Sequence, residues 1–96
     1  MERRHYVVSY DISDDRRRTD VFRILLGQGD WAQYSVFFCE LSDRELVDLR
    51  ARLRAAIHAT EDQVLIVDLG RASHPLQAGV EAIGRAYDPP VRTLVV

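Results

Sequence analysis

Three stretches of the chain are rich in the apolar, β-branched and aromatic residues that are typical of β-strands. They cover residues 6–12, 31–41 and 63–69. The first carries apolar side chains on both faces, so it predicts a central strand that is covered on two sides. The second is long for a single strand, and it predicts either a bend or two short strands.

Two segments between these strands place apolar residues at helical spacing. The first follows Ser13, which can cap a helix, and two aspartates that favour the positive end of the helix dipole. Gly27 and Gly29 predict its end. The second segment begins at Ser42, where Glu45 completes a capping box. Its apolar face is formed by Leu46, Leu49, Leu53 and Ile57.

The predicted order of elements is β-α-β(β)-α-β, followed by an irregular segment and a last strand at residues 91–96. The irregular segment holds at most a short helical stretch at residues 76–83. This order predicts an α+β ferredoxin-like fold, βαββαβ with an extra C-terminal strand, in which two helices cover one face of an antiparallel sheet. We therefore expect a single domain over residues 1–96, with a core at residues 1–70 and a tail at residues 71–96.

The other face of such a sheet also needs a cover, because it carries apolar groups. In a chain of 96 residues a second copy is the readiest cover, so we expect a homodimer through this face. The terminal strand of the tail would then pack at the dimer interface, where it covers an edge of the sheet.

Composition narrows the class of protein without identifying a function. An apolar fraction of 47% and a charged fraction of 29% fit a globular domain and argue against disorder. No apolar run approaches the roughly 20 residues that cross a bilayer, so no membrane partner is expected. Cys39 is the only cysteine, which excludes a disulfide within the chain and fits a cytoplasmic location.

The charge of the chain does not by itself identify a nucleic-acid-binding protein, because the net charge is −2. All 13 cationic side chains are arginine, whose fork matches phosphate oxygens, although a GC-rich genome gives the same bias. Arg16, Arg17 and Arg18 lie together in the first turns of the first helix. They are predicted to bind the phosphates of a nucleic acid, and the alternative is a solvated helix surface that neighbouring aspartates partly neutralise.

Asp11 is the strongest candidate for chemistry. It ends the first strand on the face assigned to the partner, where a carboxylate is costly unless it meets a cation or hydrogen-bond donors. A two-fold axis nearby would bring two such carboxylates together, and their repulsion would favour a shared Mg²⁺ ion that promotes phosphodiester hydrolysis. Asp11 is therefore the predicted catalytic residue and metal ligand. The structural alternative is that it caps helix amides near Asp14 and Asp15.

Other chemistries find little support in the sequence. Ser35 has no histidine–acid pair near it that would activate it, and the three histidines lack metal-ligand spacing. Cys39 is expected to pack as a small apolar group. No glycine-rich phosphate-binding loop occurs in the sequence.

Three short motifs resemble the CRISPR-associated Cas2 family. Tyr10–Arg18 is similar to the opening of that family, in which the first strand ends in a tyrosine, a metal-associated aspartate and an aliphatic residue. Gln33–Phe37 resembles the second signature of the family. Gly84–Pro90, followed by a terminal strand, is similar to the tail of one of its branches. The motifs occur in the family's order over nearly the whole chain.

The resemblance implies a role in CRISPR spacer acquisition. It implies a ferredoxin-like homodimer with Asp11 of each protomer near the two-fold axis and with the last strand packed on the partner. The partners that it implies are the Cas1 integrase, a DNA duplex and, for family members that act as magnesium-dependent endonucleases, single-stranded RNA as well. Tyr10, Ser35 and Phe37 would shape the site around Asp11.

Three functions follow as hypotheses: a metal-dependent endonuclease, a non-catalytic scaffold that bridges integrase dimers and holds duplex DNA, and a plain dimerisation or small-molecule sensor domain. Two departures from the family pattern weigh against the first. Phe38 stands where glutamate is common, and Trp31 stands where arginine is frequent. Both changes remove polar groups near the expected site, so they count more against cleavage than against binding.

Overall fold

Residues 2–88, which the computed structural model describes, form four strands and two helices in the predicted order. The elements are β1 (Arg3–Asp11), α1 (Asp15–Leu26), β2 (Gly29–Gln33), β3 (Val36–Ser42), α2 (Asp43–Ala56), β4 (Gln63–Arg71) and a short 3-10 turn (Leu76–Gly79). The long alternating stretch at residues 31–41 is two strands joined by a turn. The strand predicted at residues 91–96 lies outside the described residues.

The four strands make one antiparallel sheet in the order β2-β3-β1-β4. The central position of β1, between β3 and β4, agrees with the apolar pattern on both of its faces. Both helices pack on the same face of the sheet, where their apolar residues join one core cluster. This arrangement is ferredoxin-like, so the predicted α+β fold class is confirmed.

Local chemistry explains where the helices begin. The predicted capping box is present in α2: the Ser42 hydroxyl accepts a hydrogen bond from the Glu45 N–H at 3.2 Å, and the Glu45 carboxylate accepts one from the Ser42 N–H at 2.9 Å. Asp14 caps α1 in place of Ser13, since its carboxylate accepts the Arg17 N–H at 2.9 Å. A carboxylate at this position also meets the positive end of the helix dipole.

The core lies between the helices and one face of the sheet. It is built from alternate residues of β1 and β3 and from one face of each helix. Its buried side chains are Tyr6, Val8, Tyr10, Ile12, Val21, Leu25, Phe37, Cys39, Leu41, Leu46, Leu49 and Leu53. Cys39 packs as the small apolar group that the sequence predicts, and burial raises the pKa of its thiol to about 11. Gly29 allows this packing, because a Cβ atom there would lie 2.5 Å from the Cys39 sulfur.

Residues 72–88 cover part of the sheet face that the helices leave free. His5 Nε2 lies 2.6 Å from the backbone oxygen of His74. Further along, the ring of Tyr87 packs edge-on against Phe38 with 5.9 Å between the ring centroids. The segment therefore extends across β1 and β3. Within residues 2–88, no helix has the length and apolar character that a membrane span requires.

The uncovered part of the sheet lies along β4 and is apolar. Leu65, Val67 and Leu69 expose 52, 48 and 49% of their surface, and we refer to these three residues as the β4 strip. Val64 and Ile66 alternate with them and pack against the core. Because β4 is an edge strand of the sheet formed by residues 2–88, the strip borders an unpaired edge.

Candidate active site

Asp11 is the last residue of β1 and pairs with the first residue of β4. Its side chain belongs to the sheet face opposite the helices, because its neighbours Tyr10 and Ile12 are both buried in the core. The next cross-strand pair on the same face is Ser9 with Leu65, so Asp11 lies at the end of the β4 strip. The Asp11 side chain is exposed and makes no hydrogen bond or ion pair with another residue between 2 and 88.

The structural alternative for Asp11, capping of α1, does not occur. Asp14 occupies the N-cap position, and its carboxylate accepts the amide hydrogen of Arg17. Asp11 accepts no amide hydrogen of α1 in the described part of the chain. An exposed carboxylate without such a structural partner is free to bind a cation or to face a phosphate through water.

The three arginines at the start of α1 are not equivalent, and Arg17 is held within the protein. Its Nε donates to Asp62 Oδ2 at 2.7 Å and its Nη2 to Asp62 Oδ1 at 3.2 Å, and the Asp62 side chain is fully buried. Glu61 places a second carboxylate 3.6 Å from the same guanidinium. Arg17 therefore ties α1 to the loop before β4, and its charge is already compensated.

Acid pH and an Asp62 variant test this ion pair. The pKa of Asp62 lies below its ordinary value of 3.8, mainly because the Arg17 guanidinium donates a hydrogen bond to the carboxylate. A second hydrogen bond, from the His58 N–H, lowers this pKa further. A carboxyl with a lowered folded-state pKa stabilises the fold above its unfolded pKa, and that contribution is lost as the pH falls through the folded pKa. Asp62→Asn should lower the melting temperature at pH 7 by about 5–15 °C and flatten its decline below about pH 4.

Asp68 supplies the control for this measurement. Hydrogen bonds from the Gly70 N–H and from Arg4 also lower the pKa of Asp68, but its side chain is half exposed. Asp68→Asn should shift the melting temperature by no more than about 2 °C, because exposed ion pairs contribute little. If circular dichroism at fixed protein concentration gave Asp62→Asn the wild-type melting temperature at pH 7, the structural role of Arg17 would be wrong.

Arg18, like Arg17, is held by contacts within the described part of the protein, whereas the Arg16 side chain is not. Arg18 Nη1 donates to two backbone oxygens of the loop that joins β1 to α1, at 3.0 and 3.3 Å, and Nη2 pairs with Asp15. It therefore fixes the backbone that directly follows Asp11. The Arg16 side chain is exposed and has no hydrogen bond or ion pair with another residue in the range 2–88. Phosphate binding by all three arginines stays a prediction, and Arg16 is the most available of them.

Tyr10, Ser35 and Phe37, the residues predicted to shape the site, lie behind Asp11. Phe37 is fully buried on the helix side of the sheet and stacks on Tyr10 with 6.4 Å between the ring centroids. Ser35 lies in the turn between β2 and β3, and its backbone oxygen accepts the Tyr10 N–H at 3.1 Å. These contacts fix the backbone next to Asp11, so any shaping of the site by these residues is indirect.

The side chains of residues 2–88 in one chain do not complete a metal site. No group of three or more His, Cys, Asp or Glu residues in the described range 2–88 is placed to hold a metal ion. Mg²⁺ takes six oxygens and is commonly bound by only one or two carboxylates, with water or phosphate supplying the rest. Asp11 therefore fits Mg²⁺ as part of a site that water, phosphate and a second Asp11 would complete.

The two departures from the Cas2 pattern lie away from Asp11. Trp31 packs edge-on against Phe22, with 5.2 Å between the ring centroids, on the helix side of the sheet. Phe38 pairs with Val7, which precedes Asp11 by four residues on the same strand. Within this chain, both residues therefore change packing and do not remove a polar group from the immediate surroundings of Asp11.

Sequence reasoning missed two residues near the site. Asp62 is separated from Arg17 by 45 positions, and no local pattern marks the pair. Tyr34 is 76% exposed at the tip of the hairpin formed by β2 and β3. The length of the alternating stretch could have indicated this turn, because a hairpin within the stretch would place Tyr34 and Ser35 at its turn.

The antiparallel sheet, with two helices on one face and a carboxylate at the end of its central strand, defines a ferredoxin-like protein with an exposed acidic site. Solved structures share this fold. A hypothetical protein from Thermus thermophilus superposes with a TM-score of 0.76 and 36% identity, over 92% of this chain and 99% of that one. Streptococcus pyogenes Cas2 gives a TM-score of 0.72 and 28% identity, over 83% of this chain and 99% of that one.

Sequence comparisons identify the family. Residues 4–74 match the profile of the family described as CRISPR associated protein Cas2. The CRISPR-associated endoribonuclease Cas2 of Geobacter sulfurreducens is 38% identical over 91 residues, which are 95% of each chain. The CRISPR-associated endonuclease Cas2 2 of Thermus thermophilus is 36% identical over 96 residues, 100% of this chain and 99% of that one. The chain belongs to the Cas2 family, and the resemblance seen in its motifs is confirmed.

Proposed function

We propose that this chain is a homodimeric nucleic-acid-binding protein of CRISPR spacer acquisition, with magnesium-dependent phosphodiesterase activity on RNA or DNA. The observation that carries the proposal is the exposed Asp11 carboxylate at the end of the apolar β4 strip, without a partner in the described residues. Relatives named as an endoribonuclease and an endonuclease support this class of reaction.

The β4 strip supports the dimer. Its three apolar side chains are each about half exposed, and they lie together beside an edge strand. Contiguous apolar surface of this kind is typical of protein interfaces. In a two-fold dimer the strip of one protomer covers the strip of the other. Because Asp11 adjoins the Ser9–Leu65 pair, an axis near that end of the strip brings the two Asp11 side chains toward each other.

Asp11, at the end of β1, and two arginines of α1 have separate parts in the proposed reaction. Mg²⁺, when bound, polarises the scissile phosphodiester and lowers the pKa of a bound water molecule. Asp11 of each protomer would hold the ion through a carboxylate oxygen. Arg16 would neutralise a neighbouring phosphate, and Arg18 would keep the loop after Asp11 in place through the backbone oxygens that it binds.

Cleavage assays test the proposal directly. Purified protein is incubated with end-labelled single-stranded RNA and with double-stranded DNA, in the presence of Mg²⁺ and separately with EDTA. We expect cleavage of at least one substrate with Mg²⁺ and of neither with EDTA. If both substrates stay intact with Mg²⁺ while the dimer still binds them, the nuclease is excluded and the scaffold is favoured.

A non-catalytic scaffold is the second candidate, and the exposed Arg16 side chain supports it, because it makes no hydrogen bond or ion pair with another residue between 2 and 88 and can contact a phosphate. In this function the dimer bridges two dimers of the Cas1 integrase and holds duplex DNA through phosphate contacts. Such contacts release counterions, so the affinity for duplex DNA should fall by about 10-fold or more between 50 and 200 mM salt. An affinity that is the same at both salt concentrations would contradict this binding mode.

Arg16→Gln tests the phosphate contact that both functions require. We expect the affinity for nucleic acid to fall by about 3- to 10-fold at low salt, and the salt slope to fall by about 1 for each phosphate that is no longer neutralised. Arg52→Gln is the matched control, because Arg52 is exposed on α2 and its removal changes the net charge equally. Equal reductions in affinity for the two variants in fluorescence anisotropy would show a general charge effect and exclude a specific interaction of Arg16.

A further inference from the structure

Tyr34 is the most exposed aromatic side chain among residues 2–88, with 76% of its surface accessible. It lies in the two-residue turn between β2 and β3, where Gln33 pairs with Val36 on either side. Because the turn is short and closes a paired hairpin, its backbone is held in place while the ring projects from it. A large aromatic surface on a fixed backbone binds a flat partner at a low cost in conformational entropy.

Two hydrogen bonds attach this turn to the strand that carries Asp11. The backbone oxygen of Ser35 accepts the Tyr10 N–H at 3.1 Å, and the Tyr10 hydroxyl donates to the backbone oxygen of Tyr34 at 3.5 Å. Burial raises the pKa of Tyr10, so this hydroxyl keeps its proton at neutral pH. The Tyr34 backbone is therefore linked directly to the residue that precedes Asp11.

A cation lies on the same side of the molecule. The hydrogen bond to Asp15 raises the pKa of Arg18, and the proximity of Tyr34 raises it further. Arg18 also donates to the two backbone oxygens that follow Asp11, so its guanidinium lies beside the end of β1. The end of β1 thus combines an aromatic ring, an arginine side chain and an exposed carboxylate, which are the groups that contact a base, a phosphate and a metal-bound water, respectively.

We propose that Tyr34 is a specificity-determining residue of this site, a stacking platform that holds one unpaired base of the bound strand. This inference rests on the proposed nucleic-acid binding at the end of β1 and adds a residue that the predicted site does not include. In a duplex each base is already stacked between its neighbours, and an exposed ring gains access only where the strand is unpaired. Stacking of this kind tolerates any base, so Tyr34 would select an unpaired base without selecting a nucleotide sequence.

Binding to two matched oligonucleotides tests the platform without requiring cleavage. One is an end-labelled single strand of about 12 nucleotides, and the other has the same length and phosphates but abasic sites at its central positions. Fluorescence anisotropy with EDTA present gives the affinities of wild type, Tyr34→Ala and Tyr34→Phe. We expect Tyr34→Ala to bind the base-containing strand about 5- to 100-fold more weakly and Tyr34→Phe to bind within about 2-fold of wild type.

The abasic strand separates stacking from other effects. Wild type and Tyr34→Ala should bind it equally, because no base is left to stack. The inference would be overturned if Tyr34→Ala lost affinity equally for both strands. It would also be overturned if Tyr34→Ala became a monomer in size-exclusion chromatography. Either result would show that the ring supports the fold or the dimer. Unchanged affinity of Tyr34→Ala for the base-containing strand would overturn this inference alone. Failure of wild type to bind either strand would overturn the proposed function with it.

Discussion

Asp11→Asn is expected to reduce magnesium-dependent cleavage by at least about 100-fold and to leave the melting temperature within about 2 °C of wild type. The substitution keeps the size of the side chain and removes its negative charge, which is what a divalent cation requires. The stability should not change, because the Asp11 side chain makes no hydrogen bond or ion pair with another residue between 2 and 88. The rate of cleavage is measured under single-turnover conditions with saturating Mg²⁺.

Asp48→Asn controls for the removal of one carboxylate. Asp48 is exposed on α2, and its variant should cleave at the wild-type rate. Binding is measured on the same samples in EDTA, where Asp11→Asn should bind nucleic acid at least as well as wild type, since a repulsive charge has been removed. If Asp11→Asn cleaves as fast as wild type, Asp11 is neither the catalytic residue nor the metal ligand, and any activity belongs to another part of the protein.

Phe37→Ala is expected to lower the free energy of unfolding by about 3–5 kcal/mol, a large fraction of the total stability of a small domain. Phe37 is fully buried, and its ring packs on Tyr10 and on Phe22, with 5.6 Å between centroids in the second pair. Removal of the ring leaves a cavity at the centre of the core. Urea denaturation at fixed protein concentration measures the change, and fixed concentration matters because dimerisation adds to stability.

Phe38→Ala is the matched control, because the two phenylalanines are neighbours on β3 and point to opposite faces. Phe38 is only partly buried, under Tyr87, so its removal should cost about 1–2 kcal/mol. The sequence predicts a site-shaping role for Phe37, and the structure places it in the core. A Phe37→Ala variant that kept wild-type stability but no longer cleaved would show direct contact with substrate and contradict the core position.

Much of the fold could be predicted from the sequence, because short-range patterns determine it. Runs of apolar, β-branched and aromatic residues identified the strands, the period of two identified the buried face of β1, and the Ser42–Glu45 capping box located the start of α2. The turn at Tyr34 and Ser35 was not located, since the alternation continues through it without a glycine, proline or asparagine to mark it. The last predicted strand, at residues 91–96, stays a prediction.

The site could be predicted only in part. Successive side chains of a strand point to opposite faces, so the face on which Asp11 lies could be predicted from its position in β1. The exposure of the Asp11 side chain fits that prediction. The spacing of the three arginines does not show which of them is paired within the protein and which is free to bind phosphate. The buried partner of Arg17 is Asp62, which lies on a distant part of the chain. The second half of the proposed metal site belongs to another molecule, and no pattern within one chain fixes where that molecule lies.

The separation of the two Asp11 carboxylates, in a crystal structure of the protein grown with Mg²⁺, tests the central claim most directly. If the two-fold axis places both Asp11 carboxylates around one ion, their nearest oxygens should lie within about 7 Å of each other. This distance is the span of two ligands around one ion with at most one intervening water molecule. A dimer that holds the two carboxylates farther apart than this, or a protein that is monomeric in the crystal and in solution, would contradict the account.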